Sequence, residues 1–262
     1  MTDNNFGKAS LLNISTMEKN GRTVITDEYF TAPFKIMKPF QKDDGSINVM
    51  ILTVSAGLME GDRQEITLNV GESSSVSITS QSFEKIHKME DGYASRNTNI
   101  VMEENSFLHY SPLPVIPFAE SDYRAITNIS LKKTSQLILS EVISCGRYCC
   151  DERFLYKNFS SFTEVRREKR LIYRDNSVFR PTESDMGKDG FYEGSTHLLS
   201  LTAFGFEEYS KIKDKLNNMI DELKLDAGVS LTFDKDLVFR VLGNSGDELY
   251  HISQRAAQLI RE

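Results

Sequence analysis

The chain of 262 residues has no tryptophan, three cysteines and six prolines. Cys145, Cys149 and Cys150 crowd into one short stretch, so they cannot serve as a disulfide framework. That usage points to a reduced, cytoplasmic protein. No apolar run approaches the ~20 residues of a membrane-spanning helix; residues 49–54 are among the longest and are strand-sized. The opening MTDNNFGKASLL lacks the basic and then apolar pattern of a secretory signal. Positive charge is also in short supply. With 31 Lys and Arg against 38 Asp and Glu, the net charge is −7, which argues against nucleic-acid binding through phosphate neutralisation. Familiar catalytic signatures are missing. Asp189 stands where a phosphate loop ending in Gly187-Lys188 would need Ser or Thr, and no G-x-S-x-G, H-E-x-x-H or G-x-G-x-x-G occurs. His87, His109, His197 and His251 are scattered and read as surface or packed side chains.

What the chain does have is alternation. After the glycine turn Gly57-Leu58-Met59-Glu60-Gly61-Asp62, Ile66, Leu68 and Val70 alternate with polar residues. Beyond Gly71, Val76 and Ile78 point one way while Ser75, Ser77, Thr79 and Gln81 point the other. A period of two marks half-buried strands. We read these two runs as a strand pair with an acid at one corner and a hydroxyl row on one face. Strands are further expected at residues 22–30, 48–55, 99–102, 106–110, 125–131, 136–145, 162–175, 177–180, 229–233 and 237–242. The segment 48–55 reads as buried on both faces. Residues 99–110 read as two strands around Glu103-Glu104-Asn105, and 86–96 as a polar loop. The spaced prolines of Ser111-Pro112-Leu113-Pro114-Val115-Ile116-Pro117-Phe118 exclude a central strand. Two late stretches, 206–223 and 247–261, place apolar residues three or four apart and predict amphipathic helices. The organisation expected is a polar tail at 1–20 followed by one β-rich domain over 21–262, a sandwich, barrel or solenoid of layered sheets with two helices in its C-terminal half. No exact internal repeat is present.

Glu141 is the most informative residue. It shares a strand face with Leu137, Leu139, Ile143 and Cys145, and a carboxylate among aliphatics must be paired, hydrated or functional. An ion pair with Arg147 or another arginine is the plain alternative, since Gly146-Arg147 caps this strand and a guanidinium can clamp a carboxylate. Asp62 is either a turn-stabilising side chain or a contact for a cation or partner. Ser77, Thr79 and Gln81 either face solvent or line a polar channel, with Lys85 close by as a charge partner. Cys149 and Cys150 are adjacent, so on an extended chain they point apart, and no second Cys or His pair completes a metal site. The run Arg166, Arg167, Lys169 and Arg170, diluted by Glu164 and Glu168, reads as a solvated strand face.

Five stretches in order, the 57–62 turn, Thr79-Ser80-Gln81-Ser82-Phe83-Glu84-Lys85-Ile86, the 110–118 proline segment, Glu141 with Gly146-Arg147, and Arg240-Val241-Leu242-Gly243, resemble the urease accessory protein family UreD. FTAPFKIMKPF at residues 30–40 and SQSFEKIH are similar to its Helicobacter-type UreH branch. The resemblance implies a mostly β, solenoid-like, non-catalytic chaperone. It implies direct binding to UreF, recruitment of the nickel-carrying GTPase UreG through UreF, docking on apo-urease, and two copies of each component. It also implies a water-filled passage for Ni2+ in transit, with no tightly bound cofactor. Oxygen ligands and water suit an ion that must be released. Asp62, Ser77, Thr79, Gln81 and Glu141 fall on the matching positions, so we expect them to line that passage. Pro114, Phe118, Lys85, Gly146 and Arg147 are expected in structural or partner-binding roles, together with the proline segment and the two helices. The cysteines near Arg147 depart from the family pattern. A competing reading is a carbohydrate-active enzyme using Asp62 and Glu141 as an acid pair, which the missing tryptophan disfavours. A plain structural or adhesion β module is a third reading, which the reduced, unsecreted character disfavours.

Overall fold

The computed structural model describes residues 9–262. Two sheets dominate it. One, seven-stranded, runs in the order Arg170–Phe179, Asn158–Arg167, Asp122–Leu131, Ala94–Met102, Arg63–Val70, Ser10–Lys19 and Arg22–Phe30. Its interior neighbours are parallel and its two outermost pairs antiparallel. The other is built round Ile47–Thr53, Ser75–Ser80, Phe107–Tyr110 and Gln136–Ser144, also parallel, then continues antiparallel through His197–Phe204, Leu237–Gly243 and Asp226–Leu231. Apart from the short Glu84–Ile86 and Val115–Pro117, which stay with the second sheet, successive strands between residues 47 and 167 alternate between the two sheets, so the chain coils as a β-solenoid. Gln64 aligns with Arg96, Arg96 with Ala125 and Ala125 with Ser161. These turns are unequal in length, which is why the sequence shows no repeat.

The solenoid geometry corrects several expectations. Arg63–Val70 and Ser75–Ser80 do not pair with each other. The turn closed by Ser74 N–H donating to the Gly71 carbonyl (3.1 Å) carries the chain across to the opposite sheet. The same holds for Ala94–Met102 and Phe107–Tyr110, expected as neighbours. Each strand instead finds its partner one turn of the coil away. The expected polar tail ends before Ser10: Ser10–Lys19 is a strand parallel to Arg63–Val70, and its alternating Leu12 and Ile14 are buried. The rest of that tail, residues 1–8, lies outside the described residues. Ile47–Thr53 buries one face only, for Met50 is 41% exposed. Residues 162–175 are not one strand, because Glu168 and Lys169, both at positive φ, turn a hairpin inside them. His197–Phe204 was not anticipated, although Leu199, Leu201 and Ala203 alternate there with Ser200 and Thr202. Val115–Pro117, despite the flanking prolines, pairs on both sides; it manages this by being three residues long.

Two helices complete the fold. α1 is Tyr209–Leu223 and α2 is Gly246–Arg261, close to the expected spans. The Ser245 hydroxyl caps α2 by accepting from Glu248 N–H (3.3 Å), with Asp247 and Glu248 in the first turn and Arg261 in the last, as the helix dipole favours. Their inner faces, Ile212, Leu216 and Met219 with Leu249, Ile252 and Ala256, pack on the outside of the second sheet against Ile138, Val142, Leu199 and Phe239. Each fully buried aliphatic of this kind is worth about 1.5–3 kcal/mol. Inside the solenoid the core divides into two apolar clusters. One is built round Leu12, Val49, Leu68 and Ile100; the other holds Leu58, Ile86, Tyr123 and Phe159.

Candidate functional site

Between the two interior clusters lies a polar belt. On Ala94–Met102 the inward series is Ala94, Arg96, Thr98, Ile100 and Met102, so Arg96 and Thr98 sit between apolar ends. On Asp122–Leu131, Thr127 takes the same height, and on Asn158–Arg167 Ser161 and Thr163 do. Register makes the belt continuous: Thr98 aligns with Thr127, Thr127 with Thr163 and Thr163 with Asp175. Glu141 closes it from the opposite sheet. Two small cavities occupy the belt, about 60 Å³ beside Glu141, Ser161 and Asp175 and about 30 Å³ beside Thr79, Ser80 and Glu84. Both border Arg96, Tyr110, Pro112 and Leu113, and both are large enough to hold water.

Charge in the belt is nearly balanced. The Arg96 guanidinium donates to Gln64 Oε1 (2.8 Å from Nε) and pairs with the Glu84 carboxylate. Burial opposes its charge, and Tyr123 and Glu84 outweigh burial, so the Arg96 pKa is raised. Asp175 pairs with Arg240 at 2.8 Å. Glu141 forms no ion pair among the described residues. Burial pushes its carboxyl up, the Ser161 hydroxyl and the Arg96 charge pull it back, and the net is upward. The residue is half-buried, and part of the surface it keeps opens onto the interior cavity. Glu84 and Asp175 each have a guanidinium partner, so Glu141 is the belt carboxyl without an ion pair among the described residues.

The expected lining residues divide. Thr79 and Glu141 reach the interior cavities. Ser77 and Thr79 line an outer groove, where the Thr79 hydroxyl lies 3.1 Å from the Tyr250 hydroxyl. Gln81 is exposed beyond the strand end. Asp62 is exposed too, its carboxylate accepting from Met59 N–H at 2.8 Å, and it does not join Glu141. A turn residue sits at the surface because its chain reverses there, which also separates the acid pair required by the carbohydrate-enzyme reading. Arg147 does not pair with Glu141; it pairs with Glu152 and stacks over Phe118 at 4.4 Å. Gly146, at φ +134°, is required where a Cβ would come within 2.8 Å of the Glu152 carbonyl oxygen. Lys85 is exposed, and its carbonyl accepts from Leu58 N–H. Pro114 is buried and Phe118 half-buried against His87, so the proline segment packs largely on its own chain.

Sequence reasoning missed Arg96, Glu84, Gln64 and Asp175. The signal available was the alternation Ala94, Arg96, Thr98, Ile100, but reading residues 86–96 as loop cut it short. Arg167 was read as solvated and instead reaches the buried Asp236. Among the described residues no three His, Cys, Asp or Glu side chains gather as a metal cluster.

Comparison with known proteins places this architecture. The sequence pattern of the family described as UreD urease accessory protein matches residues 8–262. The chain belongs to the UreD family. It is similar to the urease accessory protein UreH of Helicobacter pylori (strain HPAG1), 38% identical over 262 residues that cover 99% of this chain and 97% of that protein. It is 34% identical to UreH of Helicobacter hepaticus over 254 residues, 96% of this chain and 98% of the relative. UreD of Acetivibrio thermocellus is 36% identical over 251 residues, 95% of this chain and 96% of that one. The Helicobacter-type likeness read from residues 30–40 thus extends over the UreD family chain as a whole. No helix among its described residues is long and apolar enough to cross a membrane.

Proposed function

We propose that this UreD family chain is a non-catalytic adaptor and conduit in urease maturation. In this reading it binds UreF directly and UreG through UreF, two copies of each, docks on apo-urease in the cytoplasm, and lets Ni2+ pass through its interior on the way to the urease active site. The observation that carries the conduit is the polar belt. Two cavities share Arg96 and Tyr110 in their linings, and Thr79 borders both the smaller cavity and the outer groove, which supports a route from the surface towards Glu141. Oxygen atoms of Glu141, Ser161, Thr163 and Asp175 suit a hard or borderline divalent ion held loosely with water. Nickel is cargo here, not a resident cofactor. A carboxyl that exchanges a proton for a cation, among hydroxyls and no thiolates, favours release over retention.

The test is urease activation in a reconstituted mixture of this chain, UreF, UreG, apo-urease, GTP and Ni2+. Glu141→Ala is expected to lower the activation rate about tenfold while the variant still co-purifies with UreF, and Glu141→Asp to retain most of it. Activation by Glu141→Ala at the wild-type rate would remove the belt from the nickel route.

A further inference from the structure

Outside the interior belt lies an open groove of about 800 Å³ between α2 and the edge of the second sheet. That volume falls within the range of sites that bind ligands of several hundred daltons. One wall exposes Met37, Phe40 and Met50, at 45%, 67% and 41%. Such a contiguous apolar strip on an exposed edge marks a contact surface. The rim carries Lys38, Lys42 and Arg261, none of which forms an ion pair among the described residues. Two carboxylates also border it, Asp44, which accepts from Ser46, and Glu262, which accepts from Gln258. Three cations against two carboxylates leave the strip net positive on a chain of net charge −7.

Two polar atoms along the groove, His109 Nε2 and Asn48 Oδ1, are buried and lack a hydrogen-bond partner. A buried polar atom left unpaired costs about 1–3 kcal/mol. Burial, Arg261 and Lys42 lower the His109 pKa to about 4, so its ring is neutral at physiological pH and offers one donor and one acceptor. Asn48 Oδ1 can only accept. Both atoms are closed off from solvent, so a docked chain does not reach them.

We infer that this groove docks an acidic, amphipathic segment of another protein chain, its apolar side chains against Met37, Phe40 and Met50 and its carboxylates on Lys38, Lys42 and Arg261. Charge complementarity chooses this occupant. A small anion would leave the apolar wall wet, and a basic segment would meet three cations.

The experiment rests on the adaptor reading, because it takes its probes from the proteins that reading names. Overlapping peptides spanning UreF, UreG and the urease subunits are titrated with the full chain. Acidic amphipathic segments are expected to bind, and the charge reversal Lys42→Glu with Arg261→Glu is expected to weaken them about tenfold or more. A peptide with its acids changed to Lys should regain affinity for that doubly reversed variant. Gln258→Trp, an exposed position on the groove, should block binding with an unchanged circular dichroism spectrum. Equal binding to all variants, selection of peptides without acids, or binding of no peptide would overturn the inference. So would self-association abolished by Gln258→Trp, which would make a second copy the occupant. If UreF still co-purifies with Gln258→Trp at full yield while no peptide binds, the groove fails and the adaptor stands. If UreF never binds the wild-type chain, the adaptor itself fails.

Discussion

Arg167 and Asp236 form the clamp between the two sheets, and removing one half of it should be the most damaging single polar change in the molecule. Arg167 ends the strand Asn158–Arg167 of the first sheet, whereas Asp236 precedes Leu237–Gly243 of the second. Their side chains meet at 2.9 Å and are 20% and 2% exposed. The same Asp236 oxygen also accepts from Tyr209 Oη (3.2 Å) and Gly205 N–H (3.3 Å), which brings α1 into the junction. Arg167→Ala strands the carboxylate in a dry site. Breaking a buried pair costs about 3–5 kcal/mol. The partial exposure of Arg167 and the two neutral hydrogen bonds that remain on Asp236 point to the low end, about 3 kcal/mol. In a chain of this size that lowers Tm by about 6–12 °C. Urea and thermal unfolding followed by circular dichroism measure it. Arg167→Met combined with Asp236→Leu should recover only part of the loss, because it removes the stranded carboxylate but leaves Gly205 N–H without its acceptor. Lys211→Ala, which breaks a pair with both side chains more than half exposed, should change nothing measurable. A loss below about 1 kcal/mol for Arg167→Ala, like that of a surface pair, would refute the clamp.

Three further outcomes are expected. Gly57→Ala should cost about 1–3 kcal/mol in urea unfolding, because Gly57 sits at φ +138° and a Cβ would come within 2.3 Å of the Lys85 carbonyl oxygen. His109 has a folded pKa lowered to about 4 from 6.5, so the unfolded chain takes up a proton first as pH falls, and stability is lost between those values by about 3 kcal/mol at most. His109→Gln should flatten that part of a stability-against-pH curve. Thiol titration should find Cys149 and Cys150 reactive in the folded chain and Cys145 only after unfolding, since Cys145 is buried and burial pushes its thiol up to about 11.

The sequence disclosed a good deal about local structure. Alternation identified most strands because each has one face in the core, and the three-to-four spacing identified both helices because each buries a single stripe. It failed in places. His197–Phe204 was passed over although Leu199, Leu201 and Ala203 alternate with Ser200 and Thr202, and residues 86–96 carry so many polar side chains that the start of the Ala94–Met102 strand looked like loop. Glu141 was legible as an anomaly, a carboxylate on an apolar face. Its surroundings were not: the guanidinium nearest in effect is Arg96 rather than Arg147, and the acid once grouped with it, Asp62, belongs to a surface turn.

The chain by itself thus determined which faces of most strands and of both helices turn inward, and the UreD family motifs. Only the tertiary structure decided which inward polar residues share a height. Alternation assigns a side chain to a face, but its neighbours are set by hydrogen-bond register between strands a full turn of the solenoid apart, and those turns differ in length. Thr98, Thr127, Thr163 and Asp175 become a belt because the ladders align them, and no local pattern records that alignment.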